Sequence, residues 1–194
     1  INSKKSTYIR DGFKPIIPEN TKIIDLKLDN EILTINFSKE FLTVNETNEE
    51  PMLEALIYSL TELKEIKKIK ILVENIPFTK LPNSNKKLPE YLDKTYGINK
   101  IYNLNSLKET SKTTIYYLSK INDYYYYVPV TKVSNEKLER VEIIIKELKS
   151  TPIYHTNLIS YLKASANMTN YELLENAISL SFNNYLIANM KEEQ

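Results

Sequence analysis

The sequence predicts an α+β fold in which one small structural unit is used twice. Three observations carry this. Residues 23–37 alternate apolar and polar across a short polar break, the pattern of a hairpin with one buried face. Apolar residues then recur at helical spacing, from Met52 to Leu63 and again from Leu138 to Leu148. Finally, residues 23–42 run beside residues 168–187 without a gap and share their in-and-out pattern.

In the first hairpin Ile24, Leu26 and Leu28 alternate with polar residues, Asp29-Asn30-Glu31 turns the chain, and Leu33, Ile35 and Phe37 alternate again. A helix follows. Pro51 suits its first turn, where a missing N–H is not needed, and Met52, Leu53, Leu56, Ile57, Leu60 and Leu63 form its apolar stripe. Ile69, Ile71 and Val73 read as a strand, so the unit is strand, strand, helix, strand.

Pro77, Pro82, Pro89 and Gly97, among many Asn, Ser and Lys residues, give the stretch up to Lys112 the chemistry of a linker, interrupted by a short helical piece near Pro89 to Tyr96. A second hairpin comes next: Thr114 to Leu118, a polar turn at Asn122-Asp123, and Tyr124 to Val130. Ser134 is the expected N-cap of a helix with Leu138, Val141, Ile144, Ile145 and Leu148 on its apolar side. After a loop, Tyr171 and Leu173 lead into Asn176 to Phe182.

In the repeat, Leu33, Ile35, Phe37 and Phe41 fall opposite Ile178, Leu180, Phe182 and Leu186. Lys5-Ser6-Thr7 followed by Ile9 likewise parallels Lys149-Ser150-Thr151 followed by Ile153, one residue off the strand register. On this reading the chain holds the back half of one unit and the front half of the next. Residues 1–80 are repeat one without its N-terminal half, 81–112 the linker, and 113–194 repeat two without its C-terminal half.

Composition narrows function. Of 194 residues, 26 are Lys or Arg and 25 Asp or Glu, so a net charge of +1 provides no global field for nucleic acid or an anionic membrane. No cysteine is present, which removes disulfides, thiolate chemistry and Cys-based metal sites. Only two glycines occur, so neither a phosphate-cradling loop nor a dinucleotide fingerprint can be written. No apolar run approaches the ~18 residues of a membrane span, and no start methionine or signal-peptide core is present, so any anchor is expected outside this chain.

His155 is the single histidine and reads as an ordinary surface residue, since a metal site needs convergent ligands. Glu46, Glu49 and Glu50, and again Glu192 and Glu193, sit where helices begin or are expected to begin, which the helix dipole explains. The tyrosines stand out: 15 in all, with Tyr116, Tyr117, Tyr124, Tyr125, Tyr126 and Tyr127 gathered in one hairpin. Alternation puts Tyr124 and Tyr126 on one face and Tyr125 and Tyr127 on the other. One face is expected to pack on helices and the other to offer rings to a protein partner, because tyrosine suits interfaces.

These residues carry a resemblance. The run from Ile16 to Leu42, with its Ile17-Pro18 lead and Ser38-Lys39-Glu40-Phe41 ending, resembles the second hairpin of the GerMN domain of the GerM sporulation and germination family. Glu54 to Phe78 resembles the helix and final strand that follow it. Thr114 to Val133, with Val128-Pro129-Val130, resembles the opening of the next copy. The resemblance implies two small GerMN-like domains, similar to ring-building motifs, with helices packed on one face of a sheet. It also implies a non-enzymatic assembly or scaffold protein, extracytoplasmic and membrane-anchored as a lipoprotein in a spore-forming bacterium. The expected partners are other sporulation envelope proteins or a second copy. No catalytic, cofactor or metal residue is carried over, and neither nucleic acid nor a small-molecule substrate is expected. The alternative is a cell-wall or carbohydrate-binding lipoprotein module that stacks sugar rings on the tyrosines, although tryptophan is absent.

Overall fold

The structure, a computed structural model, describes residues 13–150 and 157–188. The chain divides between Asn99 and Lys100 into two compact units, each mixed α+β.

The first unit is a four-stranded sheet in the order β1-β2-β3-β4. Strand β1 (Ile23–Asp29) and β2 (Ile32–Phe37) form the expected antiparallel hairpin. Both central turn residues, Asn30 and Glu31, adopt positive φ of 49° and 63°, which matches the right-handed twist of the flanking strands. Helix α1 (Glu46–Leu60) carries the chain across to β3 (Lys68–Val73), which lies parallel to β2 with Leu33, Ile35 and Phe37 opposite Ile69, Ile71 and Val73. The order strand, strand, helix, strand is therefore as the sequence predicts. Met52, Leu53 and Ile57 of α1 are fully buried with Ile69 and Phe41. Phe41 stacks on Phe37 at 4.4 Å and meets Phe78 edge-on at 5.5 Å. A further two-residue turn at Glu74-Asn75, again left-handed, leads into β4 (Ile76–Pro77).

Two expectations for α1 are corrected. Its N-cap is Asn45, whose side chain accepts from the Asn48 N–H at 3.0 Å, so Pro51 lies inside the helix on its exposed side rather than in the first turn. The helix also ends at Thr61, whose hydroxyl donates to the Ile57 carbonyl at 2.6 Å, which leaves Leu63 outside the stripe and exposed.

The expected linker is corrected as well. Leu81, Leu88 and Leu92 are buried in the core of the first unit. Leu92 exchanges backbone hydrogen bonds of 2.8 and 2.9 Å with Ile69, and Lys94–Tyr96 make one turn of 3-10 helix. Two carboxylates of α1 hold this segment. Glu49 accepts from the backbone of Asn83 and Ser84 at 2.9 and 3.0 Å, and Glu54 from the Asn99 N–H at 2.9 Å. Residues 104–110 remain a largely exposed loop.

The second unit has a sheet in the order β5-β7-β6-β8 and a separate hairpin. Its centre is a long antiparallel ribbon, β6 (Ser111–Ile121) and β7 (Tyr124–Ser134). Short β5 (Ile101–Asn103) adds parallel to β7, and β8 (Leu158–Ile159) antiparallel to β6. Ser134 is the last residue of β7 and buried, not a helix cap; it pairs with Ser111. Helix α2 (Arg140–Leu148) is capped instead by Glu139, in a reciprocal box with Glu142. Leu138 thus precedes the helix and is exposed.

The separate hairpin is β9 (Met168–Leu173) with β10 (Ile178–Phe182). It repeats β1–β2 pair for pair under the alignment that sets Phe182 beside Phe37. Leu26↔Ile35 becomes Tyr171↔Leu180, Leu28↔Leu33 becomes Leu173↔Ile178, and Ile23↔Phe37 becomes Met168↔Phe182. Each copy has its irregularity beside that last pair. Burial is not repeated. Leu33 and Ile35 are 3% and 2% exposed, whereas Ile178 and Leu180 are 44% and 39% exposed. In the first unit α1 and β3 close that face; among the described residues no counterpart covers β10. The Lys5-Ser6-Thr7 and Thr151 to Ile153 markers of the repeat lie outside the described residues.

Candidate functional site

The β6–β7 ribbon determines where the tyrosines go. Cross-strand partners share a face, so Ile115, Tyr117, Val128 and Val130 form one side and Tyr116, Leu118, Lys120, Tyr125, Tyr127 and Pro129 the other. The first side is core. Tyr117 is 2% exposed and donates from its hydroxyl to the Glu147 carbonyl of α2 at 3.3 Å. Burial, reinforced by the Glu147 carboxylate, pushes the Tyr117 phenol up to about 12. Tyr117 was a candidate contact residue, and the structure places it inside instead.

The opposite side holds three tyrosines in solvent: Tyr116, Tyr125 and Tyr127 are 52%, 60% and 69% exposed. Leu118 lies buried between them, and Ile159 of β8, opposite Leu118, extends the apolar area. The Lys120 ammonium sits 5.6 Å from the Tyr125 ring centroid, within cation–π range. Tyr124 is exposed at the ribbon tip on the helix side, and Tyr126 beside it is half-buried. The six predicted tyrosines are thus three on one open face, one at the tip, one half-buried and one in the core. Lys120 and Ile159 were missed. Alternation with Leu118 could have placed Lys120, but nothing local foretells Ile159, which arrives from forty residues downstream in β8.

The ribbon is anchored at its other end by charge. Lys132 of β7 bonds Glu136 at 2.9 Å and also Glu147 of α2, while Lys146 bonds Glu136 at 2.9 Å. Burial lowers the Lys132 pKa, but the hydrogen bonds to Glu147 and Glu136 outweigh it and the result is raised. The Glu136 carboxyl is held low, first by Lys146 and then by Lys132.

Other candidate groups are distributed as follows. Glu46 lies in the first turn of α1, and Glu50 bonds Lys86 and the Tyr96 hydroxyl. His155, Glu192 and Glu193 lie outside the described residues. A cavity of about 480 Å³ opens beside the start of α1, lined by Lys14, Ile16, Pro18, Glu19, Asn45 and Asn48 among others. Among the described residues Glu19 is its one carboxylate. Among the described residues no three His, Cys, Asp or Glu side chains gather in ligand geometry, and no helix is long and apolar enough to cross a membrane.

Residues 2–79 match a family model described as "Germane: Sporulation and spore germination". The spore germination protein GerM of Bacillus subtilis is 25% identical over 192 residues, which cover 97% of this chain. Over residues 2–79 the chain is thus similar to the Germane family. It spans about half of that relative, 52% of its length. The solved tandem GerMN domains of B. subtilis GerM superpose with a TM-score of 0.85 at 24% identity, covering 92% of this chain and 64% of that one. The fold of this chain is therefore that of tandem GerMN domains, α+β throughout. The tyrosine face lies beyond residue 79, outside the stretch that the family model matches.

Proposed function

We propose that this protein is a non-enzymatic assembly component of sporulation or spore germination, acting outside the cytoplasm through protein–protein contacts of its GerMN-like units. One observation carries the reading: the β6–β7 ribbon turns one face to its own core and leaves Tyr116, Tyr125 and Tyr127 together in solvent on the other. A contiguous aromatic face with a polar rim is the chemistry of a docking surface, since tyrosine buries a large apolar ring while its hydroxyl tolerates water. On this reading the protein is attached to the membrane as a lipoprotein.

The test replaces Tyr116, Tyr125 and Tyr127 by Ser together in the intact protein. All three are exposed, so circular dichroism and Tm stay near wild type. Capture of an envelope protein from sporulating cells is expected to fall at least tenfold. Retained capture would overturn the reading. Loss of binding to purified peptidoglycan, with protein capture intact, would instead establish the wall-binding alternative.

A further inference from the structure

We propose that the outer edge of β1 pairs antiparallel with β1 of a second copy of this chain, about a two-fold axis at Leu26. The strand is an edge in the sheet order, and every one of its residues is exposed. Among the described residues no strand lies beyond it. Such an edge presents unpaired N–H and C=O groups, a template for another strand.

The sequence of this edge is self-complementary. Leu26 and Leu28 extend the face that α1 covers, because they sit opposite Ile35 and Leu33, both buried. Asp25, Lys27 and Asp29 alternate with them. With the axis at Leu26, Leu26 of one copy meets Leu26 of the other, and the irregularity between Ile23 and Asp25 lies just outside the paired centre Asp25–Lys27. Asp25 of each copy then falls opposite Lys27 of the other, twice by symmetry. Sliding two residues one way sets Lys27 against Lys27 and Asp25 against Asp29. Sliding two the other way sets Asp25 against Asp25. A slip of one residue pairs leucines with charges. One register therefore matches leucine with leucine and opposite charges with each other at its centre, as an isologous interface requires. Asp25 and Lys27 make no ion pair among the described residues, so their charges are available across the axis. The result is a continuous sheet through two first units, with the apolar rows of both copies on the α1 side.

This deepens the assembly reading by naming one contact, and it is separable from the tyrosine face, which lies on the other unit. Sedimentation equilibrium on the intact protein is expected to show a monomer–dimer equilibrium. Asp25→Lys and Lys27→Asp each place like charges opposite one another and are expected to weaken the dimer at least tenfold. Mixed together, the two variants regain opposite charges at both positions and are expected to form a heterodimer of near wild-type affinity, which a merely misfolded variant would not do. A concentration-independent monomer overturns the proposal. So does a dimer indifferent to both charge reversals. So does amide-exchange protection, persisting in the monomer, of those N–H groups of Asp25–Asp29 that point away from β2, since that marks the edge as covered by the protein's own chain. Should the dimer fail while tyrosine-dependent capture survives, the assembly reading stands without this contact.

Discussion

Glu49 shows how much one side chain can hold. It is buried at the start of α1, and its carboxylate accepts from the Asn83 and Ser84 backbone and from the Asn83 side chain. Burial alone raises its pKa, but those hydrogen bonds outweigh it and the folded value lies below 4.5. A depressed carboxylate contributes stability that is present above its unfolded pKa and lost as pH falls through the folded one. Glu49→Ala is therefore expected to destabilise by about 2 kcal/mol at neutral pH, because it leaves buried donors unpaired. The gap to wild type should narrow in urea titrations below pH 4. Tyr117 runs the opposite way. Its phenol is raised, so its contribution is complete below the unfolded value near 10 and disappears as pH rises toward about 12. Tyr117→Phe should blunt the alkaline loss of Tm and change little at pH 7. At this scale alternation already separated Tyr125 and Tyr127 from their neighbours. It could not say which set faces inward, because that depends on where α2 lands.

Among the elements, local competition decided each boundary. Pro51 is a sound first-turn residue, yet Asn45 caps the helix six residues earlier and the ring is tolerated on the exposed flank. Ser134 is a preferred cap, but its pairing with Ser111 keeps it in β7, and a Glu139–Glu142 box takes over. Glutamate is not a favoured N-cap type, so that start was not legible. Asn45→Ala should cost about 1 kcal/mol by thermal melting. The hairpins were legible in pattern and register because period-two alternation fixes both. Their turns carry strain that the pattern hides: Glu31 sits at φ 63° with no side-chain need to do so. Left-handed geometry costs a non-glycine residue roughly 1–2 kcal/mol, partly offset by the extra freedom of glycine when unfolded. Glu31→Gly should therefore raise stability by about 0.5–1 kcal/mol, measured by the urea midpoint.

For the molecule as a whole, the repeat is shared in pairing and unequal in burial. Sequence comparison captures the first, since residues 168–187 carry the same strand pattern as 23–42. It could not capture the second, because burial needs a covering helix and strand, and these come from α1 and β3 in the first unit alone among the described residues. Nor was the extent of the first unit legible. Leu81, Leu88 and Leu92 are scattered through a Pro-, Asn- and Lys-rich stretch with neither helical nor strand period, yet all three are buried. Leu92→Ala should destabilise the first unit by about 2–5 kcal/mol. A fragment ending at Lys80 should melt well below one ending at Asn99.

The scarcity of glycine has a chemical consequence. Left-handed turn positions fall largely to asparagine: Asn20, Asn30, Asn75, Asn85, Asn99 and Asn122 all have positive φ. Asparagine ages when the next residue's backbone nitrogen attacks its side-chain amide, a cyclisation that a following glycine leaves open and a bulkier neighbour hinders. Here the followers are Thr21, Glu31, Ile76, Lys86, Lys100 and Asp123, each with a β-carbon. The chain bends at its tightest points without the dipeptide that deamidates fastest, so these corners keep their amides longer than Asn-Gly turns would.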